Sequence, residues 1–224
     1  MKTAKVRFTN IEKPISEKSV SGALERITEV YSIDEIPWKD YSYRPQITFK
    51  IARTEKGLLL QYNVREEYIR AVYSKTNDPV YEDSCVEFFL SAGRNSYYNF
   101  EFNCIGTALV GFGTSRQDRK WIASKNIEQI KRFSSLGREP FKEKKGPYMW
   151  KLSIYIPFLF FEESLKDLGE LYNFPRAKAN SFRANLYKCG DKLSIPHYAA
   201  WNKIKAEVPD FHRPEYFGKL VFME

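Results

Sequence analysis

The sequence predicts an all-β protein built as an antiparallel β-sandwich, with one or two short peripheral helices. Segments with apolar residues at every second position recur along the chain, and this is the period of a strand with one buried face. Eleven glycines and eleven prolines supply the turns that many short strands need. No series of alternating strands and helices indicates a parallel sheet, so two antiparallel sheets packed face to face are the expected arrangement.

One domain accounts for the whole chain. A length of 224 residues suits a single large β domain, 1–224, in which residues 1–40 form an N-terminal extension packed on the sandwich. The chain is long enough for a well-buried core, and its 17 Phe, 15 Tyr and 4 Trp supply large side chains for it. No internal repeat, no linker and no membrane-spanning stretch interrupts this organisation.

The charge of the chain indicates no particular partner. The formal net charge of +8 attracts anions over long distances. The basic residues are scattered, however, and the cluster of Lys142, Lys144 and Lys145 is typical of a solvated loop. A nucleic-acid-binding protein more often has a basic stripe together with a known module signature. We therefore expect neither a nucleic-acid partner nor a membrane partner.

The first elements are a helix and a hairpin. Apolar residues at helical spacing predict a helix within residues 16–31. Alternation over 47–51 and again over 58–64 predicts two strands, and the Glu-Lys-Gly turn at 55–57 joins them. The following segment, 65–82, is polar and is expected to be irregular.

Strands dominate the rest of the chain. The predicted strands cover 83–90, 97–105, 107–112, 128–133, 149–156, 182–189 and 217–222, with a turn at 91–96. A polar loop at 114–127 carries Trp121, which we assign to packing together with Trp38 and Trp150. A second short helix is expected at 160–171.

The cysteines and the N-terminus bear on the cellular compartment. Cys85, Cys104 and Cys189 are too few for a disulfide framework, and both free buried thiols and a Cys85–Cys104 bridge fit the spacing. Residues 1–8 lack the apolar core of a signal peptide. Two locations therefore stay open: the cytoplasm, or an exported location reached with a leader that has been removed.

Residues 83–90, Asp-Ser-Cys-Val-Glu-Phe-Phe-Leu, give the strongest indication of a functional surface. Every second residue from Val86 to Leu90 is apolar, and Glu87 lies on the opposite face, where a carboxylate needs a polar partner. Sorting the other strands in the same way gives a polar set: Gln61, Asn63, Glu87, Asn99, Glu101, Asn103, Lys151, Arg183, Asn185 and Tyr187.

Amides, carboxylates and a guanidinium on one surface suit a ligand whose hydroxyl groups both donate and accept hydrogen bonds. We expect the polar set to converge on one such surface. A structural reading stays open, in which Glu87 and Arg183 form a buried pair inside the sandwich.

Four ordered motifs carry a resemblance to a known family. They are Asp-Ser-Cys-Val-Glu-Phe-Phe at 83–89, the segments 98–106 and 182–187, and the ending 201–220. Together they resemble the family 9 carbohydrate-binding modules and their DOMON-like relatives, over most of residues 40–224. The resemblance implies a jelly-roll sandwich that binds a carbohydrate, mono- or oligosaccharide, without transforming it. It also implies a link to carbohydrate breakdown, because related modules are often attached to glycoside hydrolases.

The resemblance implies which residues form the sugar site. In the family, two aromatic side chains hold the sugar ring, and their positions here are Tyr81 and Phe211, where Trp is usual. The strand glutamate is Glu87. Asn185 stands where the family has a Gln, and Glu101 stands where it has an Arg.

Arg183 and Trp201 complete the predicted ligand-binding set. Arg183 is expected to bond hydroxyl groups, whereas Trp201 fits a platform and a core position equally well. The resemblance implies no required cofactor, although some family members carry structural calcium. Candidate oxygen ligands for calcium are Asp78, Glu82, Asp83 and Asp118.

Two alternative functions follow from particular residues. Glu87 and Glu101, if they were to face each other across a sugar bond, would suit a glycoside hydrolase acting on O-glycosyl bonds. A DOMON-like haem-binding domain would need an axial ligand, for which Met149 and His197 are available.

Overall fold

A computed structural model describes residues 1–91, 96–169 and 181–223. Its strands are β1 (Thr3–Phe8), β2 (Tyr31–Ser32), β3 (Gln46–Arg53), β4 (Gly57–Ala71), β5 (Cys85–Ser91), β6 (Tyr97–Asn103), β7 (Ala108–Gly113), β8 (Arg119–Trp121), β9 (Lys131–Ser134), β10 (Phe141–Pro157), β11 (Ser181–Cys189), β12 (Tyr198–Ala200) and β13 (Gly218–Phe222). Its helices are α1 (Glu17–Glu25), α2 (Ser124–Ile127) and α3 (Phe158–Leu168). None of the helices in these ranges has the length and apolar character needed to cross a membrane.

The strands form two layers that are joined through β1. The first sheet has the order β8-β7-β6-β5-β11-β13, with β12 also paired to β11. The second sheet has the order β3-β4-β10-β9, with β2 paired to β3. One end of β1 pairs with β13 and the other end, Arg7 and Phe8, pairs with β3. Both of these pairings are parallel, whereas the other strand pairs of the described residues are antiparallel, so the predicted β-sandwich is confirmed with a mixed sheet.

The apolar strand faces that the sequence predicts meet between the two layers. From the first sheet come Val86, Phe88 and Phe100, each at most 1% exposed. From the second sheet come Leu60 and Leu152, which are equally buried. These side chains belong to one continuous core. At roughly 1.5–3 kcal/mol for each fully buried large side chain, this core is the main source of the sandwich's stability.

A second apolar cluster covers the outer face of the first sheet. Phe89 and Tyr187 project from that face and pack with Trp38, Phe211 and Phe217 from covering segments. Much of the outer face is therefore covered by other segments of the chain. The parts that these segments leave uncovered are accessible to solvent.

Several elements differ in extent from their predictions. β4 continues to Ala71 through a segment predicted to be irregular, because β10 pairs with it along this length and leaves only alternate residues buried. Helix α1 starts at a capping box on Ser16 and ends at Glu25, since Tyr31 already pairs with Phe49 as a strand residue.

The loop predicted at 114–127 contains β8 and α2, and the strand predicted at 128–133 begins at Lys131. Residues 170 and 171 of the second predicted helix and residues 92–95 of the predicted turn lie outside the described residues. All three cysteines are free and buried, so the Cys85–Cys104 bridge does not form.

Candidate functional site

A cavity of about 360 Å³ opens on the outer face of the first sheet. Its floor is formed by β5, β6, β7 and β8, and its walls by the covering segments. The lining combines four carboxyl groups, two guanidinium groups and four aromatic rings: Glu87, Glu101, Asp191, Asp210, Arg116, Arg119, Tyr81, Trp121, Tyr198 and Phe211. This volume falls within the range of about 300–1,000 Å³ that is typical of small-molecule sites.

Strand register places two carboxyl groups side by side on the floor. Glu87 on β5 is directly opposite Glu101 on β6. Both side chains lie on the outer face because they alternate with the core residues of their strands. They belong to neighbouring strands of the same cavity floor, and each residue is 3% exposed.

One carboxyl oxygen of Glu101 has polar contacts, and the other has no hydrogen-bond partner. Asn99 donates from Nδ2 to Oε1 of Glu101 at 2.8 Å. Arg119 approaches the same oxygen, with Nη1 at 3.5 Å. Oε2 of Glu101 and Nη1 of Arg119 are both buried without a hydrogen-bond partner. Because a buried unsatisfied polar atom costs roughly 1–3 kcal/mol, these two atoms favour a ligand that supplies hydroxyl groups.

Burial makes both floor carboxyls weak acids. It raises the pKa of Glu101 from the ordinary value of 4.5 to about 7, against the opposing effect of the Arg119 charge. Burial, reinforced by the charge of Glu101, holds the pKa of Glu87 well above that value. Near neutral pH the pair therefore retains a proton. A protonated carboxyl can donate a hydrogen bond while its neighbour accepts one.

Two aromatic rings border the cavity with partly exposed faces. Tyr81 is half-buried within the short 3₁₀ turn at Val80–Glu82, and Trp121 at the end of β8 is 51% exposed. The guanidinium of Arg119 lies 4.9 Å from the centre of the Trp121 ring, which fixes one side of the indole.

Phe211 contributes to the wall but is largely covered. It is 8% exposed, and its ring is stacked on Tyr187 with centroids 4.1 Å apart and an angle of 7° between the planes. Tyr187 also donates from its hydroxyl to the Phe211 carbonyl at 3.1 Å. Phe211 therefore offers an edge rather than a whole face to a ligand.

The opposite wall carries further polar groups. Burial raises the pKa of Asp191 to about 6, and its carboxyl is hydrogen-bonded to Tyr198. His212 shares a 2.9 Å hydrogen bond between Nδ1 and the Tyr97 hydroxyl. Burial, helped by the charges of Arg119 and Arg116, lowers the pKa of His212 to about 2, so its ring is neutral. A neutral ring and a partly protonated carboxyl both suit an uncharged polar ligand.

The structure brings Tyr81, Glu87, Glu101 and Phe211 together at the cavity, and places the other three predicted site residues elsewhere. The lining does not include Arg183, Asn185 or Trp201. Asn185 lies on the same face of the sheet as Glu87, but residues beyond β12 cover it. Its Nδ2 donates to the Asn202 carbonyl at 2.9 Å, and its Oδ1 accepts from the Asn202 amide at 2.8 Å.

Trp201 and Arg183 have structural contacts instead. Trp201 is 2% exposed. Its ring makes an edge-to-face contact with Phe49 in the core, with ring centroids 5.7 Å apart. Any side chain at Gly218 would collide with this ring. Arg183 donates to the carbonyls of Glu215 and Phe217, so it does not pair with Glu87.

The predicted polar set divides between two surfaces. Gln61, Asn63 and Lys151 belong to β4 and β10 of the second sheet, where Gln61 donates to Ser153 at 2.9 Å. Only the members on the first sheet approach the cavity. The expectation that the whole set converges on one surface is therefore wrong, because strand parity does not tell which sheet a strand joins.

Trp121 is the main residue that sequence reasoning misplaced. It was expected to pack in the protein, but it is half-exposed at the cavity mouth. Arg119 and Trp121 lie on one face of the short strand β8, but three residues are too few for this alternation to be recognised in the sequence. Gly111 leaves room for the Trp121 ring, because a Cβ there would lie 2.6 Å from Asn99 Oδ1 and 3.4 Å from the ring.

The candidate haem ligands lie away from this cavity. Met149 is 76% exposed on β10 of the second sheet. His197 is fully buried, and its Nε2 lies 2.8 Å from Lys188 Nζ. Neither side chain lines the cavity that contains Glu87.

Comparison with known proteins relates the chain to one family. Residues 22–222 match carbohydrate-binding family 9. A candidate carbohydrate-binding protein from Bacteroides uniformis ATCC 8492 is 37% identical, with 99% of each chain covered and a TM-score of 0.90. No curated protein matches the chain.

Two more distant structures share the fold. Both are of a family 9 carbohydrate-binding module from Caldicellulosiruptor kristjanssonii, and each is 12% identical to this chain. The complex with glucose has a TM-score of 0.51 and covers 99% of this chain and 96% of that one. The complex with cellotriose has a TM-score of 0.54 and covers 99% and 93%. At this identity the similarity shows the fold alone.

Proposed function

The chain belongs to carbohydrate-binding family 9 and is a carbohydrate-binding domain, and from this premise we propose that it holds an uncharged sugar in the cavity on the outer face of the first sheet. The sugar is bound without being transformed. A mono- or oligosaccharide end is the expected ligand, because the cavity volume of about 360 Å³ suits one or two rings rather than a long chain. A link to carbohydrate breakdown stays a prediction.

One observation carries the assignment of the site. Glu101 Oε2 and Arg119 Nη1 are buried without a hydrogen-bond partner and line the same cavity as a half-exposed indole, Trp121. A sugar has hydroxyl groups around its edge and an apolar face of C–H groups. It can therefore satisfy the two polar atoms and cover the ring in a single pose.

Each side chain then has a role that follows from its chemistry. Tyr81 and Trp121 provide aromatic surface for the C–H face of the ring, and Phe211 adds an apolar edge. Glu101 accepts from sugar hydroxyls and Arg119 donates to them, whereas the protonated carboxyl of Glu87 donates.

Calcium is not part of the proposed site. The four candidate acids already have separate contacts: Asp83 accepts from the Val72 and Tyr73 amides, Asp78 from the Lys75 amide and Asp118 from Thr114. Glu82 pairs with Lys192 at 3.0 Å. Because each of these carboxyls already has contacts of its own, the proposed site does not depend on calcium.

Titration calorimetry tests the proposal, with glucose and cellotriose as first probes and a glycan array to extend them. We expect saturable binding to the native protein. Trp121→Ala should weaken it at least about tenfold, because it removes about 1.4 kcal/mol or more of stacking and apolar contact. Glu101→Gln should also weaken binding, since it removes a buried carboxylate acceptor.

Phe8→Ala is the matched control, because Phe8 is 42% exposed on β1 and does not line the cavity. It should leave the affinity unchanged. Unaltered affinity in Trp121→Ala, with an intact fold by circular dichroism, would place the sugar site elsewhere. A native protein that binds no glycan on the array would contradict the proposed function itself.

A further inference from the structure

Two thiol groups lie with a carboxyl group at one edge of the cavity floor. Cys85 on β5 is directly opposite Cys189 on β11, and Glu87 follows two residues along β5. The two Sγ atoms and a carboxyl oxygen of Glu87 all lie within 4.8 Å of one another. All three side chains are buried, with residue exposures of at most 3%. They form a compact set of metal-ligand atoms, and the sugar site, which uses Glu87, explains neither thiol.

The contacts inside this set differ from those of an ordinary core cysteine. Cys189 donates from Sγ to Glu87 Oε1 at 3.0 Å, so a thiol and a carboxyl meet directly. Cys104 is the useful comparison: it is equally buried, but its Sγ donates to the Arg70 carbonyl at 3.6 Å and it belongs to the apolar core between the sheets. The Cys85–Cys189 pair therefore has a third ligand atom that Cys104 lacks.

The set can be reached from outside. Glu87 and Cys189 both line the cavity, whereas Cys85 lies behind them. An ion entering the cavity would meet the carboxyl oxygen and the Cys189 sulfur first and then the Cys85 sulfur. The cavity side leaves room for a fourth ligand, such as water.

We propose that Cys85, Glu87 and Cys189 bind a thiophilic divalent cation of the zinc and cadmium class, with an open coordination position towards the cavity. Two sulfur ligands select soft or borderline metals over calcium and magnesium, which prefer oxygen. Four-coordinate zinc sites place sulfur at about 2.3 Å and carboxylate oxygen at about 2.0–2.2 Å from the metal, and side chains already this close need little movement to reach such distances.

Metal binding requires the ionised forms of all three ligands. On binding, each thiol and the Glu87 carboxyl release any bound proton to solvent, and the metal bonds form in their place. Two thiolates, one carboxylate and a divalent ion leave one net negative charge. Lys188 and Arg119 act against that charge, whereas Glu101 and Asp191 add to it, so the divalent ion itself supplies most of the compensation.

Cadmium titration of the full chain under reducing conditions tests the proposal. The readout is the ultraviolet absorbance of thiolate-to-cadmium charge transfer. We expect one ion per chain, at least tenfold weaker binding in Cys85→Ser and in Cys189→Ser, and unchanged binding in the matched control Cys104→Ser. X-ray absorption of the zinc form should show two sulfur neighbours at about 2.3 Å.

Near-ultraviolet circular dichroism establishes that each variant is folded, and Cys85→Ala and Cys189→Ala replace any serine variant that is not. Absence of a charge-transfer band in the native protein would overturn the proposal, as would equal loss in Cys104→Ser. Sugar titration of metal-free native protein is the separate measurement, so failure of the metal site and failure of the sugar site can be told apart.

Discussion

The floor of the cavity concentrates its chemistry in Glu87 and Glu101, which lie directly opposite each other on neighbouring strands. Two carboxylates in this position repel each other, and burial removes the water that would screen them. Burial is the main reason that the pair retains a proton, and at Glu87 the charge of Glu101 adds to it. The retained proton gives the site a donor where the sequence alone shows two acceptors.

Stability should depend on pH through Glu101. Burial raises its folded-state pKa from 4.5 to about 7, so the folded protein binds the proton more tightly than the unfolded chain does. The contribution is fully present below pH 4.5 and is lost as the pH rises through about 7. At roughly 1.4 kcal/mol per pKa unit, the free energy of unfolding should fall by about 3 kcal/mol over this interval.

Urea unfolding across the interval, compared with Glu101→Gln, isolates this effect. The variant should lose the share of the pH dependence that belongs to Glu101, because glutamine does not titrate, whereas Glu87 and Asp191, whose pKa values are also raised by burial, keep their shares. Glu12→Gln, at an exposed position, serves as the control and should follow the native curve. If the native protein and Glu101→Gln showed parallel curves, the assigned proton would be on another group.

Alternation along a strand was enough to identify Glu87 and Glu101 from the sequence, since it separates outer from inner side chains. It also selected Asn185, which does lie on that face of the sheet. The alternation cannot show which segments cover the face. Here the Asn202 backbone forms hydrogen bonds with both the nitrogen and the oxygen of the Asn185 side-chain amide. The part of such a face that a ligand can reach is determined by the covering loops. The paths of these loops depend on contacts between residues far apart in the sequence.

At the scale of elements, the β7–β8 hairpin decides the shape of the site. Gly111 on β7 pairs with Trp121 on β8, and Asn99 on β6 lies on its other side. With no side chain at Gly111, the Asn99 amide and the Trp121 ring approach each other over the strand. The short β8 was missed in the sequence because its three residues, Arg-Lys-Trp, are too few to show a period.

Gly111→Ala should reduce sugar affinity while retaining the fold. The added Cβ would lie 2.6 Å from Asn99 Oδ1, so the amide that donates to Glu101 must move. We expect a loss of roughly tenfold or more, measured by calorimetry, which corresponds to about 1.4 kcal/mol of binding free energy.

Gly22→Ala is the control for the same chemical change. Gly22 lies in α1 with nothing within 4 Å of the added Cβ, so alanine should stabilise the protein by about 0.5–1 kcal/mol and leave binding unaltered. Equal affinities for Gly111→Ala and the native protein would show that the Asn99 position does not matter to the ligand.

At the scale of the whole molecule, the two sheets are tied together by backbone and by charge. β1 supplies the backbone link, because it pairs with a strand of each sheet. The sequence predicts only that residues 1–40 pack on the sandwich, and it does not predict this strand pairing. Alternation can identify the two apolar layers, but it carries no information on which distant strands a short terminal segment will join.

The charge link is a buried ion pair across the sandwich. Lys188 of β11 places Nζ at 2.8 Å from Oε2 of Glu66 on β4, and neither side chain is exposed. Lys188 also lies 2.8 Å from His197 Nε2, and Trp150 donates to the second Glu66 oxygen at 2.7 Å. Burial and the charge of Lys188 hold the pKa of His197 well below its ordinary value, so a neutral imidazole accepts from the lysine.

Removing one member of this pair should be far more costly than removing both. Lys188→Met leaves the Glu66 carboxylate buried and uncompensated, which should lower the free energy of unfolding by about 3–5 kcal/mol. The double variant Lys188→Met with Glu66→Gln should recover a large part of that loss. Lys125→Met breaks an exposed pair with Asp167 and should cost less than about 1 kcal/mol. Urea unfolding measures all three, and a loss in Lys188→Met no greater than in Lys125→Met would show that the two sheets do not depend on this buried charge.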